Sequence, residues 1–193
     1  MSKINYHSLL DIFIDKLIPE TENAVKNGNK IFGAFIIKKS DSSLVITGTN
    51  NEITNPLYHG EISALFNFFE TKKLNPKDYY FISSHEPCSL CLSAITWSGF
   101  DNFYYFFPYA DTKSSFNIPH DLNILKEVFH INEGEYKKNN KYWKSFSIIE
   151  EIKKFEDPNN PFFKEKIDKI KLVYAELSAE YQKTKISNDI PLK

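Results

Sequence analysis

Two short runs, YYFISS (Tyr79–Ser84) and NFYYFF (Asn102–Phe107), are apolar along nearly their whole length. They read as buried strands, which need a layer of structure on each face. Between them Pro87 stands at a first helical position, and CSLCLSAITWS runs to Gly99, a C-terminal stop. Ahead of them FGAFIIKK (Phe32–Lys39) and LVITGT (Leu44–Thr49), joined by the turn Ser40–Ser43, make a hairpin. His7–Asn27 carries Leu10, Phe13, Ile14, Leu17 and Ile18 at helical spacing, with Gly28 just past its end. Pro19, inside that run, is a point where the helix can split. The polar loop Asn50–Tyr58 leads into a helix over Ile62–Glu70. The order α-β-β-α-β-α-β predicts an α/β layered sheet with mixed strand directions.

Beyond Pro108 the pattern is less regular. Asp121–Phe129 reads as a short helix with an acidic start. Asn160–Lys183 reads as a long one, with Phe163, Ile167, Ile170, Val173, Tyr174, Leu177 and Tyr181 on one face, expected to dock on the chain's own core. No linker separates this part, so we expect one domain: residues 1–118 as the core and 119–193 as a helical C-terminal extension packed on it. A chain of 193 residues buries roughly 70% of its unfolded surface and needs neither disulfide nor metal to fold.

Composition narrows the function classes. No apolar run approaches the ~20 residues of a membrane span, and the first helix carries Asp11, Asp15 and Glu20, unlike a signal peptide. Two cysteines in so long a chain do not make a secreted disulfide framework, so the cytoplasm is the expected location. Net charge is −1, and all 24 basic residues are lysine. Without arginine the chain lacks the bidentate fork suited to phosphates and base edges, so a nucleic-acid partner is not expected. The basic stretch Lys137, Lys138, Lys141 and Lys144, flanked by Glu133 and Glu135, reads as a solvated loop.

The chemistry lies in His59-Gly60-Glu61 and in HEPCSLC (His85–Cys91), which holds both cysteines. Alone, His59 reads as a capping or core residue, and C-x-x-C as a redox, structural or catalytic pair. His85 reads as a pocket-edge or structural residue. Together, H-x-E followed by P-C-x-x-C matches the signature of zinc nucleobase deaminases. Two thiolates and one imidazole suit Zn²⁺, and three protein ligands leave a fourth position for water, as in a catalytic site.

These residues resemble the cytidine/deoxycytidylate deaminase superfamily, over about Phe32 to Asp111. The resemblance implies a three-layer α-β-α sandwich with a central mixed sheet of about five strands. It also implies one zinc per subunit on His59, Cys88 and Cys91, with Glu61 as catalytic proton shuttle. E-P-C-x-x-C-x-x-A-I is similar to the branch of guanine, cytosine and tRNA adenosine deaminases. FGAFIIK, TGTNNEITN, EPCSLCLSAITW and YADTKSSF look most like guanine deaminases.

By that resemblance Asn50 reads the ring's polar edge, Asp111 is a base contact, and Gly60 and the Glu86 backbone carbonyl complete the substrate contacts. HGEIS in place of H-A-E looks like the cytosine deaminases, and Tyr58 replaces a small residue. A C-terminal segment completes a neighbour's pocket in guanine deaminases, a role open to Tyr142 or Trp143. The expectation is a cytoplasmic homodimeric zinc hydrolase that deaminates a nucleobase or nucleoside. Guanine is the first choice, then cytosine or a cytidine compound, then tRNA adenosine. A zinc-stabilised interaction module is the non-enzyme alternative.

Overall fold

The hairpin forms as its sequence predicts. β1 (Gly33–Lys38) and β2 (Leu44–Thr49) pair antiparallel, with Gly33 opposite Thr49 and Phe35 opposite Thr47. In this computed structural model, which describes residues 4–71, 74–157 and 160–193, three further strands extend the sheet from the other edge of β1. β3 (Tyr79–His85) lies antiparallel to β1, and β4 (Asn102–Phe107) and β5 (Lys144–Ser147) follow in parallel. The order is β2-β1-β3-β4-β5, a mixed five-stranded sheet.

Strand alternation divides the interior in two. Phe35 and Ile37, Tyr80 and Ile82, and Tyr104 and Phe106 face one way. They pack against α1 (Tyr6–Ile12), α2 (Ile18–Lys26), α7 (Ile148–Phe155) and α8 (Pro161–Thr184). Ala34 and Ile36, Phe81, and Phe103 and Tyr105 face the other way, against α3 (Gly60–Thr71) and α4 (Ser89–Trp97). This is the expected three-layer sandwich. Among the described residues no helix is long and apolar enough to cross a membrane.

Pro19 does not split the first helical run. A π-helical turn, Phe13–Leu17, joins α1 to α2, and Ile18 N–H reaches back five residues to the Phe13 carbonyl. The widened turn carries a proline that an unbroken α-helix would resist, because a proline ring crowds the carbonyl four residues earlier. Thr21 Oγ1 donates to the Leu17 carbonyl at 2.8 Å, which holds this buried hydroxyl within the helix.

Residues beyond 118 are mostly helical, as expected, but they also supply β5 and α7. β5 escapes sequence reading because it is four residues long and half exposed at an edge. The lysine stretch is therefore not simply a solvated loop: Lys144 opens β5, and Lys138 Nζ reaches Glu86 Oε1 at 2.9 Å and Tyr105 Oη at 2.8 Å. Trp143 is buried against Phe103 and donates to Thr96 Oγ1 at 2.7 Å, so it serves this chain's own core.

α3 approaches the sheet unusually closely. A Cβ on Gly60 would lie 2.5 Å from Gly33 Cα and 2.8 Å from Gly33 N and Phe32 O. These are backbone atoms, which cannot swing aside as a side chain can. Gly60→Ala is therefore expected to destabilise the fold by about 1–3 kcal/mol through overpacking, read as a lower midpoint in urea denaturation.

Candidate metal centre and its cavity

His59 is the residue immediately before α3, and Glu61 lies in its first turn. Cys88 is the N-cap of α4, with Cys91 one turn in; Pro87 stands just ahead of this helix rather than inside it. Both helices pack on the same face of the sheet, so their N-termini converge. The free N–H groups and dipole of α4 favour negative charge on sulfur there.

Cys88 Sγ and Cys91 Sγ are 3.5 Å apart, and His59 Nδ1 lies 3.4 Å from the first and 3.7 Å from the second. Metal–ligand bonds of ~2.3 Å to sulfur and ~2.05 Å to nitrogen place tetrahedral neighbours roughly 3.8 Å (S···S) and roughly 3.6 Å (S···N) apart. The three donors thus already stand at about the edges of a zinc tetrahedron. Among the described residues they form a group able to hold a metal ion. The neighbouring Cys91 thiol, and then His59, hold the Cys88 thiol well below its usual range, whereas burial pushes Cys91 up. Burial opposes protonation of His59, but the Cys88 sulfur and Glu61 outweigh it and raise the imidazole to about 9.

Glu61 is buried behind this cluster. Its Oε1 accepts from Ser83 Oγ at 2.8 Å, and its Oε2 lies 3.3 Å from Cys91 Sγ. Burial, then the Cys88 charge, raises its carboxyl above the usual range. Two cavities open onto the cluster. The outer one, about 250 Å³, is walled by Phe32, Leu57, Leu90, Ile124, Ile190 and Leu192. The inner one, about 10 Å³, is close to the size of one water and is lined by Glu61, His85, Glu86 and Asp121 beside His59 and Cys88.

The expected substrate contacts fare unequally. Glu86 is at the inner cavity; its carboxylate accepts from Tyr109 N at 3.1 Å, Tyr136 Oη at 2.8 Å and Lys138 Nζ at 2.9 Å. Asn50 lines neither cavity. Its Oδ1 accepts from Gly60 N at 2.6 Å and its Nδ2 donates to Glu52 Oε2 at 2.7 Å, so the amide braces the start of α3. Gly60, its N–H taken by Asn50, serves close packing.

Asp111 also lies away from the cluster. It sits in the first turn of α5 (Tyr109–Ser114), where Lys171 of α8 is its charged neighbour, and lines neither cavity. The chain then turns back, and α6 (His120–Phe129) brings Asp121 in its first turn over both cavities. Burial, and then the Cys88 charge, pushes the Asp121 carboxyl well up.

Sequence reasoning missed Asp121, and also a buried ion pair beside the histidine. Lys30 Nζ and Glu52 Oε1 are 2.6 Å apart with both side chains buried, and His59 Nε2 faces the same oxygen at 3.8 Å. That separation is ion-pair range and longer than a hydrogen bond. At that range Glu52 places negative charge behind the imidazole nitrogen that faces away from the cysteines. From that position a carboxylate orients a metal-binding histidine once the N–H bonds it. No local motif marks Lys30 or Glu52.

A model of the cytidine and deoxycytidylate deaminase zinc-binding region matches residues 8–107. Among solved structures, a guanine deaminase from Nitrosomonas europaea superposes with a TM-score of 0.56 at 15% identity, covering 86% of this chain and 82% of that one. A mutant of NE0047 in complex with 8-azaguanine gives 0.58 at 15% identity, covering 86% and 83%. A guanine deaminase from Bacillus subtilis gives 0.51 at 21% identity, covering 75% and 90%. At such identities the likeness is one of fold. No curated protein matches the sequence.

Glu52→Gln is expected to weaken zinc binding by about 10- to 100-fold, because it removes the charge that orients His59. Competition against a chromogenic chelator measures this; unchanged affinity would show that Glu52 does not act on the metal site through His59.

Proposed function

Since the chain belongs to the cytidine and deoxycytidylate deaminase zinc-binding family, we propose that it hydrolyses a C–NH₂ group of a nucleobase to C=O, releasing ammonia. The observation that carries this reading is the Glu61 carboxylate 3.3 Å from Cys91 Sγ, beside three donors spaced for zinc and lining a small cavity with His59 and Cys88. His59, Cys88 and Cys91 would hold the ion, one per subunit. Zinc, when bound, lowers the pKa of a water ligand toward ~7 and so makes a nucleophile available at neutral pH.

The chain's own residues do the rest. Ser83 ties down Glu61 Oε1, leaving Oε2 to move protons. That oxygen takes the proton of the attacking water, delivers one to the ring nitrogen of the amidine, and then protonates the departing amine, so that C–NH₂ and H₂O become C=O and NH₃. Asp121 offers a carboxyl group to the exocyclic amine or a neighbouring ring N–H. Phe32 and the apolar outer wall exclude bulk water and hold the ring.

Guanine is the substrate we put first, in line with the guanine deaminases that share the fold. The cavity favours a free base over a nucleotide. Its volume of about 250 Å³ falls below the usual range for larger ligands. The lysine on its wall, Lys30, is already paired with Glu52, so among the described residues no free ammonium there is set to receive a phosphate. A reducing cytoplasm suits a site that needs both thiols. A homodimer is the proposed assembly, through the exposed Phe66 and Phe69 of α3 and Trp97 of α4, which is 92% exposed. Equilibrium sedimentation at micromolar concentration should return twice the chain mass, and a strict monomer would refute it.

Glu61→Gln separates an enzyme from a zinc-stabilised interaction module. Ammonia release should fall by about 10²- to 10⁴-fold while zinc content and Tm stay near wild type. Release should be greatest with guanine in a panel of free bases, nucleosides and nucleotides. Activity confined to cytosine would replace guanine as the substrate, and a zinc-loaded wild type inactive on the whole panel would defeat the enzymatic reading.

A further inference from the structure

His85 is a buried histidine that the proton-transfer chemistry does not use. It ends β3, is 2% exposed, and lines the inner cavity together with Glu61, Asp121 and Phe32. One ring nitrogen, Nδ1, lies 2.9 Å from Ser84 Oγ. The other, Nε2, is buried and has no hydrogen-bond partner among the described residues. Few buried polar atoms in folded proteins go unpaired, and those that do call for an explanation.

The ring cannot swing away to find a partner. It stacks on Phe107 at 4.9 Å between centroids and meets Phe32 and Phe116 edge-on at 4.7 and 5.1 Å. Burial among these rings lowers the imidazole pKa to about 3, so the group is neutral at physiological pH. Which nitrogen carries the single proton follows from Ser84. Its hydroxyl oxygen already accepts from Gly33 N at 2.9 Å, leaving Nδ1 as the acceptor at hand for the hydroxyl hydrogen. A proton on Nδ1 would strand both that hydrogen and the Nε2 lone pair. A proton on Nε2 strands only one group, and so Nε2–H is the favoured tautomer. A neutral donor thus remains, at the ring edge opposite Ser84, in a residue lining the cavity that holds Glu61.

We infer that His85 is a substrate-contacting residue whose Nε2–H donates a hydrogen bond to a lone-pair acceptor on the bound heterocycle, either an unprotonated ring nitrogen or a carbonyl oxygen. The inference rests on the deaminase reading of the same site. It adds a recognition element to it: the ring must present an acceptor to His85 as well as an amine to Asp121 and Glu61. No protein group among the described residues pairs with this donor, so an acceptor on the bound ring supplies a partner, and an analogue lacking that acceptor is expected to be a poorer substrate.

The test compares wild type with His85→Leu, both zinc-loaded, by ammonia release from guanine, cytosine and adenosine, by zinc content and by Tm. Leucine removes the donor and fills a similar apolar space. The expected result is a drop in kcat/KM of roughly 10- to 100-fold on whichever compound the wild type deaminates. Zinc stoichiometry should be unchanged, and Tm equal to or above that of wild type. Retention of kcat/KM within about twofold overturns the inference, and so does a Tm well below wild type, which is how a structural histidine behaves. If the wild type releases no ammonia from these three or from the wider panel of free bases, nucleosides and nucleotides, the deaminase reading fails and takes this inference with it. That failure shows in the wild type alone, apart from any effect of the substitution.

Discussion

The contact between the first turn of α3 and β1 is the constraint on which the site depends. With Gly60 against Gly33, backbone meets backbone, and no side chain separates helix from sheet. Asn50 fixes the helix start by accepting from Gly60 N, and Glu52, two residues on, holds Asn50 and faces His59. His59 and Glu61 flank that glycine, so the same contact positions a metal-ligating imidazole and a proton-transferring carboxylate. A site anchored on a rigid helix start keeps its geometry better than one on a loop.

Much of this was legible in the sequence because it is local. Phe32–Lys39, Leu44–Thr49, Tyr79–Ser84 and Asn102–Phe107 announce themselves by apolar pattern and turn residues, and all four form strands. H-x-E and P-C-x-x-C are short enough to read directly, and the fold brings their His and Cys donors together. What was not legible depends on how distant segments return. Lys144–Ser147 has too little apolar pattern to be recognised, and only pairing with β4 makes it a strand. Asp121 lies ten residues beyond Asp111 in the chain, and only the turn between α5 and α6 decides which carboxylate overlooks the cavity. Asn50 was found, but its valences could not be: the backbone of Gly60 and the carboxylate of Glu52 use both ends of its amide.

The segment beyond residue 118 is tied into the site rather than appended to it. Tyr136 and Lys138 both bond the Glu86 carboxylate, two residues before Cys88, while from the core side Tyr109 Oη donates to the Pro87 carbonyl. Lys138 also lies over the rings of Tyr105 and Tyr136, at 5.1 and 5.5 Å from their centroids. The turn that presents the two cysteines is therefore held from behind by residues of the extension. Ile190 and Leu192 wall the outer cavity, so the extension helps to shape the space in which a ligand would sit.

The Lys30–Glu52 pair carries an evolutionary consequence. Each charge is buried, and each is neutralised chiefly by the other. Losing one member leaves an uncompensated charge in the interior, at a cost of about 3–5 kcal/mol, whereas replacing both by apolar groups of similar volume is often nearly neutral. The path between the two acceptable states thus runs through an unstable intermediate. As related sequences diverge, positions 30 and 52 should change together or stay as they are, a signature of epistasis visible without any measurement on the protein itself.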